Sequence, residues 1–168
     1  LPDTGDDRLL RAITKVLENE GFAVGAPVDW LPDHRATLGR MSGRAPDAQR
    51  TTDFDFGLAI ARAIGDLEIG QTVVVRQGCV VAVEAVEGTD AMLQRAGPLA
   101  KRGAVVVKAI KPNQDHRLDM PTVGPETLKT MAAHGLKWLG LEVGVLILDK
   151  PAFLRQAKQL GVTVVGLK

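Results

Sequence analysis

The stretch Thr72-Val73-Val74-Val75-Arg76-Gln77-Gly78-Cys79-Val80-Val81-Ala82-Val83-Glu84-Ala85-Val86 decides the architecture. Two β-branched runs, Thr72 to Arg76 and Cys79 to Val86, are joined by two residues of which the second is glycine, and this spacing predicts a β-hairpin. A hairpin is antiparallel, so the sheet containing it cannot be purely parallel. Downstream the pattern alternates: a short helix from Asp90 to Ala96, a strand from Ala104 to Ile110, a helix from Pro125 to His134, strands at Trp138 to Glu142 and Val145 to Leu148, a helix from Pro151 to Leu160 and a strand from Val162 to Val165. Strands alternating with helices imply parallel neighbours, and the whole reads as a single-domain α/β fold with a mixed β-sheet and flanking helices. Upstream, Leu9, Leu10, Ile13, Val16 and Leu17 recur at helical spacing from Asp6 to Glu20, Gly21 stands where the helix should stop, and Phe22 to Val24 could form a strand. A second helix is expected from Asp55 to Leu67. Between them, residues 26–53 contain turn-prone stretches around Pro27, Pro32, Gly39 and Pro46 and read as an irregular connection.

Composition bounds the function. The chain has 168 residues, 45% of them hydrophobic, and 21 basic against 20 acidic side chains for a formal net charge of +1. A chain of this length buries roughly 70% of the surface it exposes unfolded, so it can build a core without disulfides or a structural metal. Near-neutrality, 4% aromatic residues and no tyrosine exclude a nucleic-acid surface of the usual basic and stacking kind. No apolar run has membrane-spanning length, and a single cysteine, Cys79, fits a reducing compartment. The chain opens on Leu1 with a polar lead-in to Asp7, which suggests a piece of a longer protein.

Ionisable residues inside apolar strands are the chemical anomaly: Glu84, Lys108 and Glu142. A charge removed from water costs several kcal/mol unless it is paired, so three such residues argue for a shared polar site. The alternatives are strand-end placement or a plain Glu84–Lys108 ion pair. The densest polar segment follows Lys108: Lys111-Pro112-Asn113-Gln114-Asp115-His116-Arg117-Leu118-Asp119-Met120-Pro121-Thr122-Val123-Gly124-Pro125. Lys111 and Arg117 suit phosphate oxygens, Asp115 and Asp119 suit a hard cation or an oriented water, and Gly124-Pro125 opens a helix whose amides favour an anion. A solvated charge-rich loop has the same composition. A third cluster, Glu84-Ala85-Val86-Glu87-Gly88-Thr89-Asp90, sets three carboxylates at a strand-to-helix junction, suited to a divalent metal, with Thr89 or Asp90 as helix cap. His34 and His134 lack a second histidine at ligand spacing, and Cys79, Trp30 and Trp138 read as packing residues. Walker, G-x-G-x-x-G and G-x-S-x-G sequences are absent, which removes the main support for the corresponding nucleotide and hydrolase classes.

These residues in combination resemble the C-terminal domain of the LpxI-type UDP-2,3-diacylglucosamine pyrophosphatase family of lipid A biosynthesis. The resemblance runs through Gly5-Asp6-Asp7, Glu20-Gly21-Phe22, Ala45-Pro46-Asp47, Ile69-Gly70-Gln71, Val83-Glu84-Ala85 with Glu87-Gly88-Thr89-Asp90, Lys111-Pro112 with Gln114-Asp115, Arg117, Asp119, Pro121 and Gly124, and Val164-Val165-Gly166. It departs in residues 26–44, and at Val143, where the family pattern leads one to expect alanine.

The resemblance implies Mg²⁺-dependent hydrolysis of UDP-2,3-diacylglucosamine to UMP and 2,3-diacylglucosamine 1-phosphate. It further implies a smaller N-terminal α/β domain, absent from this chain, that shares the substrate, and a cytoplasmic location with membrane contact through the lipid substrate. It implies a critical aspartate, for which Asp119 stands first and Asp115 second. Lys108, Lys111, Gln114, Arg117, Thr122 and Gly124 would bind phosphate; Glu84, Glu87, Asp90, Asp115 and Asp119 would supply metal ligands; Thr89 and Glu142 would support them. Two other classes fit the residues: a non-catalytic module binding a nucleotide or sugar phosphate, and a homo-oligomerisation domain whose charged strands meet across a symmetric interface.

Overall fold

The computed structural model describes residues 6–112 and 115–168. In chain order the elements are α1 (Asp6–Asn19), a single turn α2 (Pro27–Trp30), a 3-10 turn Pro32–His34, β1 (Gly39–Ser42), α3 (Ala48–Asp66), β2 (Thr72–Arg76), β3 (Cys79–Val83), α4 (Thr89–Ala100), β4 (Val105–Lys108), β5 (Thr122–Val123), α5 (Pro125–Ala133), β6 (Trp138–Glu142), β7 (Leu146–Ile147), α6 (Lys150–Leu160) and β8 (Thr163–Leu167). Six strands form one sheet in the order β1-β8-β6-β4-β2-β3. The expected hairpin is there, β2 pairing antiparallel with β3, and β2 also pairs antiparallel with β4. From β4 the sheet turns parallel through β6 to β8 and ends antiparallel at β1. The α/β mixed-sheet reading holds.

Alternation along the strands builds two cores. Val73, Val75, Val105 and Val107 pack with Phe54, Leu58 and Ala61 of α3 on one face. Val74, Ala82, Val106, Leu139 and Leu141 pack on the other face with Met92 and Leu93 of α4, Leu128 of α5 and Phe153 of α6. The period of two therefore assigns every strand residue to a face. A Cβ on Gly57 would stand 2.7 Å from Val107 Cγ2, so glycine lets α3 lie close against β4.

The turn Gln77-Gly78 has φ of 50° and 73°, the left-handed pair that a two-residue hairpin of this kind requires. Asp53, only 1% exposed, accepts from both turn amides at 2.8 Å and from the Gln49 side chain at 3.1 Å. A buried carboxylate on α3 thus locks the turn of a hairpin 24 residues downstream.

Several expectations change. Residues 26–53 are not one irregular connection: they hold α2, the 3-10 turn, edge strand β1 and the first residues of α3. Helix α3 starts at Ala48 because Asp47 caps it, its side chain accepting from the Arg50 amide at 2.9 Å. Phe22 to Val24 forms no strand. The segment expected as a strand at Val145 to Leu148 contributes β7, which leaves the main sheet to pair in parallel with β5, a strand the periodicity does not show. Cys79, expected to pack, is exposed on edge strand β3, and Trp30 is 79% exposed. Trp138 is buried, with the guanidinium groups of Arg44 and Arg50 at 4.9 and 4.6 Å from its ring centroid. The stripe on α1 forms at the expected spacing, yet Leu9, Ile13 and Val16 are exposed.

Candidate functional site

Polar residues gather where β4 and β6 end and β2 begins. Thr72 lies opposite Lys108 across the β2–β4 ladder, and its carbonyl accepts the Glu84 amide at 2.8 Å. Glu84, Thr72 and Lys108 are thus a row across three adjacent strands. By alternation they share the face of Val74, Ala82 and Val106, which α4 covers. All three are buried, at 8%, 1% and 5% exposed.

Thr89, the first residue of α4, closes the row from above. Lys108 Nζ donates to Thr89 Oγ1 at 3.0 Å, and Thr89 Oγ1 donates to Glu84 Oε1 at 2.6 Å. The Gln71 amide approaches Glu84 Oε2 at 3.4 Å. Thr72 Oγ1 and Gln71 Oε1 are buried with no hydrogen-bond partner, which marks unspent polar capacity beside the row. Burial pushes the Lys108 ammonium below the ordinary lysine range. The carboxylates of Glu84, then Asp119, then Asp90 oppose this through space, while Lys111 adds to it. Asp90 and Asp119 therefore bring negative charge to the same ammonium from helix α4 and from the loop after β4.

Glu142 is not part of this row. It follows Trp138 and Gly140 on the α3 face, where its Oε1 accepts from Arg62 Nε of α3 at 2.9 Å. Its Oε2 accepts the Ile110 amide at 2.7 Å. The expectation of one site shared by three strand charges is thus corrected: Glu84 and Lys108 meet, through a hydroxyl rather than as a direct ion pair, and Glu142 instead pins the start of the loop that follows β4. Arg62 and Glu142 line a cavity of about 350 Å³ with Ile110, Lys111, Pro112 and His116.

The loop spends much of its charge on itself. Asp115 accepts from the Arg117 amide and Nε at 3.0 Å and from Nη2 at 2.8 Å, and its carbonyl accepts the Leu118 and Asp119 amides. The bonds from Arg117 hold the Asp115 carboxyl down at about 2. Arg117 also reaches Glu18 of α1 at 2.7 Å, and both partners push its guanidinium further up. Thr122 donates to the Met120 carbonyl at 2.8 Å within the same segment, and Gly124 stands as the N-cap of α5. Gln114 lies outside the described residues. Glu87 is likewise committed: Oε1 accepts from Arg95 at 2.7 Å and Oε2 from the Ala85 amide at 3.1 Å, and the Arg95 bond holds its carboxyl low.

Among the described residues, no three His, Cys, Asp or Glu side chains form a group that could hold a metal ion. The five carboxylates expected as metal ligands form no such group: Glu84 serves Thr89, Glu87 serves Arg95, Asp115 serves Arg117, and Asp90 and Asp119 act on Lys108 through space. Sequence reading missed Arg62, Gln71, Thr72 and Asp53. Arg62 looks like a solvated helix cation until Glu142, 80 residues on, supplies its partner, and Thr72 looks like any strand-starting threonine.

The arrangement defines an α/β domain with its polar machinery at the carboxyl ends of parallel strands, the usual place for ligand chemistry in such sheets. Residues 37–165 match the model of the LpxI C-terminal domain, and the chain belongs to that family. It is similar to the UDP-2,3-diacylglucosamine pyrophosphatase LpxI of Caulobacter vibrioides, at 40% identity over 172 aligned positions that cover 97% of this chain. The chain spans 61% of the length of that relative.

Proposed function

We propose that this chain carries the catalytic half of a Mg²⁺-dependent hydrolase that opens the pyrophosphate bond of UDP-2,3-diacylglucosamine to UMP and 2,3-diacylglucosamine 1-phosphate. The observation that carries the reading is the buried Lys108 ammonium, held by Thr89 and faced by Asp90 and Asp119. A lysine kept at 5% exposure among carboxylates costs stability, and pyrophosphate chemistry gives it a use.

The reaction forms one bond, water oxygen to phosphorus, and breaks one, phosphorus to the bridging oxygen, so negative charge grows on the departing phosphate. Lys108 and Lys111 set fixed positive charge beside that phosphate, inside a site where it is poorly screened. Asp119 accepts a hydrogen bond from the attacking water and orients it. Asp115 and Arg117 shape the loop that brings Asp119 to Lys108.

Mg²⁺ is commonly held by one or two carboxylates together with substrate phosphates, retaining several waters. Asp90 and Asp119 fit that sparse donor set, and the remaining carboxylates do not fit an all-protein cage. When bound, the ion would neutralise pyrophosphate charge. A second, N-terminal α/β domain would close over the substrate, and the diacyl portion would bring the protein to the cytoplasmic face of the membrane. None of the helices searched among the described residues is long and apolar enough to cross it.

A non-catalytic nucleotide- or sugar-phosphate-binding module draws support from one observation, the lack of three converging ligands among the described residues. One experiment separates the readings: UMP release by the full-length protein, wild type and Asp119→Asn, over a Mg²⁺ titration. The proposal expects metal-dependent release that the substitution abolishes. UMP binding that ignores both metal and substitution, without release, supports the module instead.

A further inference from the structure

Thr89 would ordinarily be read as a helix cap. It is not one: Gly88, with φ of 80°, occupies the cap position of α4, and no side chain makes a capping bond there. The Thr89 hydroxyl turns toward the sheet, between Lys108 Nζ at 3.0 Å and Glu84 Oε1 at 2.6 Å. The chemistry of those neighbours leaves only one direction for the two bonds. An ammonium only donates and an ionised carboxylate only accepts, so the hydroxyl proton points to Glu84 and an oxygen lone pair receives Lys108.

We infer that Thr89 is a positioning residue, which holds the Lys108 ammonium out of a direct ion pair with Glu84 and leaves it directed at the substrate phosphate. Glu84 and Lys108 face the same side of the sheet with only Thr72 between them, and neither is exposed enough for water to keep them apart. The hydroxyl is the spacer. It uses one of the three ammonium donors and leaves two for substrate oxygens. Glu84, anchored by the Gln71 amide at 3.4 Å, is the fixed end of the chain. The inference deepens the pyrophosphatase reading and rests on it for the role of Lys108 toward phosphate, but the contact itself can be tested without that reading.

The test uses the full-length protein with Thr89→Val, nearly the same shape without the hydroxyl, and Thr89→Ser, which keeps it. Circular dichroism and thermal melting establish that both variants fold. UMP release under saturating Mg²⁺ should give kcat reduced about 10- to 100-fold in Thr89→Val, by analogy with the loss of hydrogen-bond partners that orient metal ligands. KM should change little, and Thr89→Ser should recover most of the rate. In parallel, the lysine ammonium NMR spectrum, with Lys108→Arg assigning the signal, should show a solvent-protected resonance in wild type and Thr89→Ser that Thr89→Val lacks. Wild-type kcat in Thr89→Val, equal impairment of the two variants, or a rise in KM alone would overturn the positioning role. If wild type releases no UMP while the ammonium resonance still follows the hydroxyl, the activity reading fails and the contact stands. A resonance that is unchanged in Thr89→Val removes the contact.

Discussion

The strand-end row and the loop after β4 are both rich in charge, and they use it in opposite ways. In the row, Lys108 and Glu84 are almost fully buried and their bonds converge on one hydroxyl. In the loop, Asp115 and Arg117 close a local ring of bonds and tie to Glu18 at the surface. Burial makes a charge costly and electrostatically strong, whereas exposure makes it inexpensive and weak. Where a charge sits in the fold says more about its use than how many charges stand together in the sequence.

Of the row and the Asp115–Arg117 ring, the row should give the larger effect. Lys108→Met in the full-length protein is expected to lower kcat for UMP release by at least about 100-fold, the order seen when a fixed donor to developing oxyanion charge is lost. The row also sets a pH dependence. Because burial pushes Lys108 below the ordinary lysine value of 10.5, its charge is lost earlier on raising pH. The alkaline limb of the rate should therefore fall below that of an ordinary lysine and move upward in Lys108→Arg. Stability moves the opposite way: the unfolded chain binds more protons between the lowered folded pKa and 10.5, so this group's contribution becomes less unfavourable as pH rises through that window.

The Glu142 contact that pins the start of the loop should give an intermediate effect. Glu142→Ala removes the acceptor for Ile110 and the partner of Arg62, and should cost about 1 kcal/mol in urea unfolding by leaving a part-buried amide without its acceptor. Its kcat should fall as well, through the loop it anchors. Unaltered kcat with lowered stability would make Glu142 a brace of the fold alone.

The smallest effect should come from the loop's own ring. The Asp115 carboxyl is lowered to about 2 from 3.8, so its contribution is present above about pH 4 and lost as pH falls through 2. A solvent-screened pair of this kind contributes little. Acid unfolding of wild type and Asp115→Asn should differ slightly at pH 6 and converge near pH 2; a gap that persists at pH 2 would show that the bond matters by its shape rather than its charge.

Much of the architecture was legible because alternation and turn spacing are local. The Gln77-Gly78 hairpin, the four principal later helices, and the strand–helix alternation around Lys108 all follow from residues close in sequence. What was not legible depends on distant partners. Strand β1 carries too little apolar pattern in Gly39–Ser42 to announce itself and exists because β8 offers an edge. Strands β5 and β7, two residues each, have meaning only as a pair. For the site, strand anomaly picked out Glu84 and Lys108 correctly as neighbours. Parity along β6 alone could not show that Glu142 belongs to the opposite face, because that required knowing which face each strand presents to α3.

The proposed division of labour puts the working positive charge in the buried row rather than in the loop ring. It is tested most directly by measuring kcat for UMP release in full-length Lys108→Met and Arg117→Met side by side. Lys108→Met should lose at least about 100-fold and Arg117→Met no more than about a few-fold. Near-normal turnover in Lys108→Met with turnover abolished in Arg117→Met would contradict it.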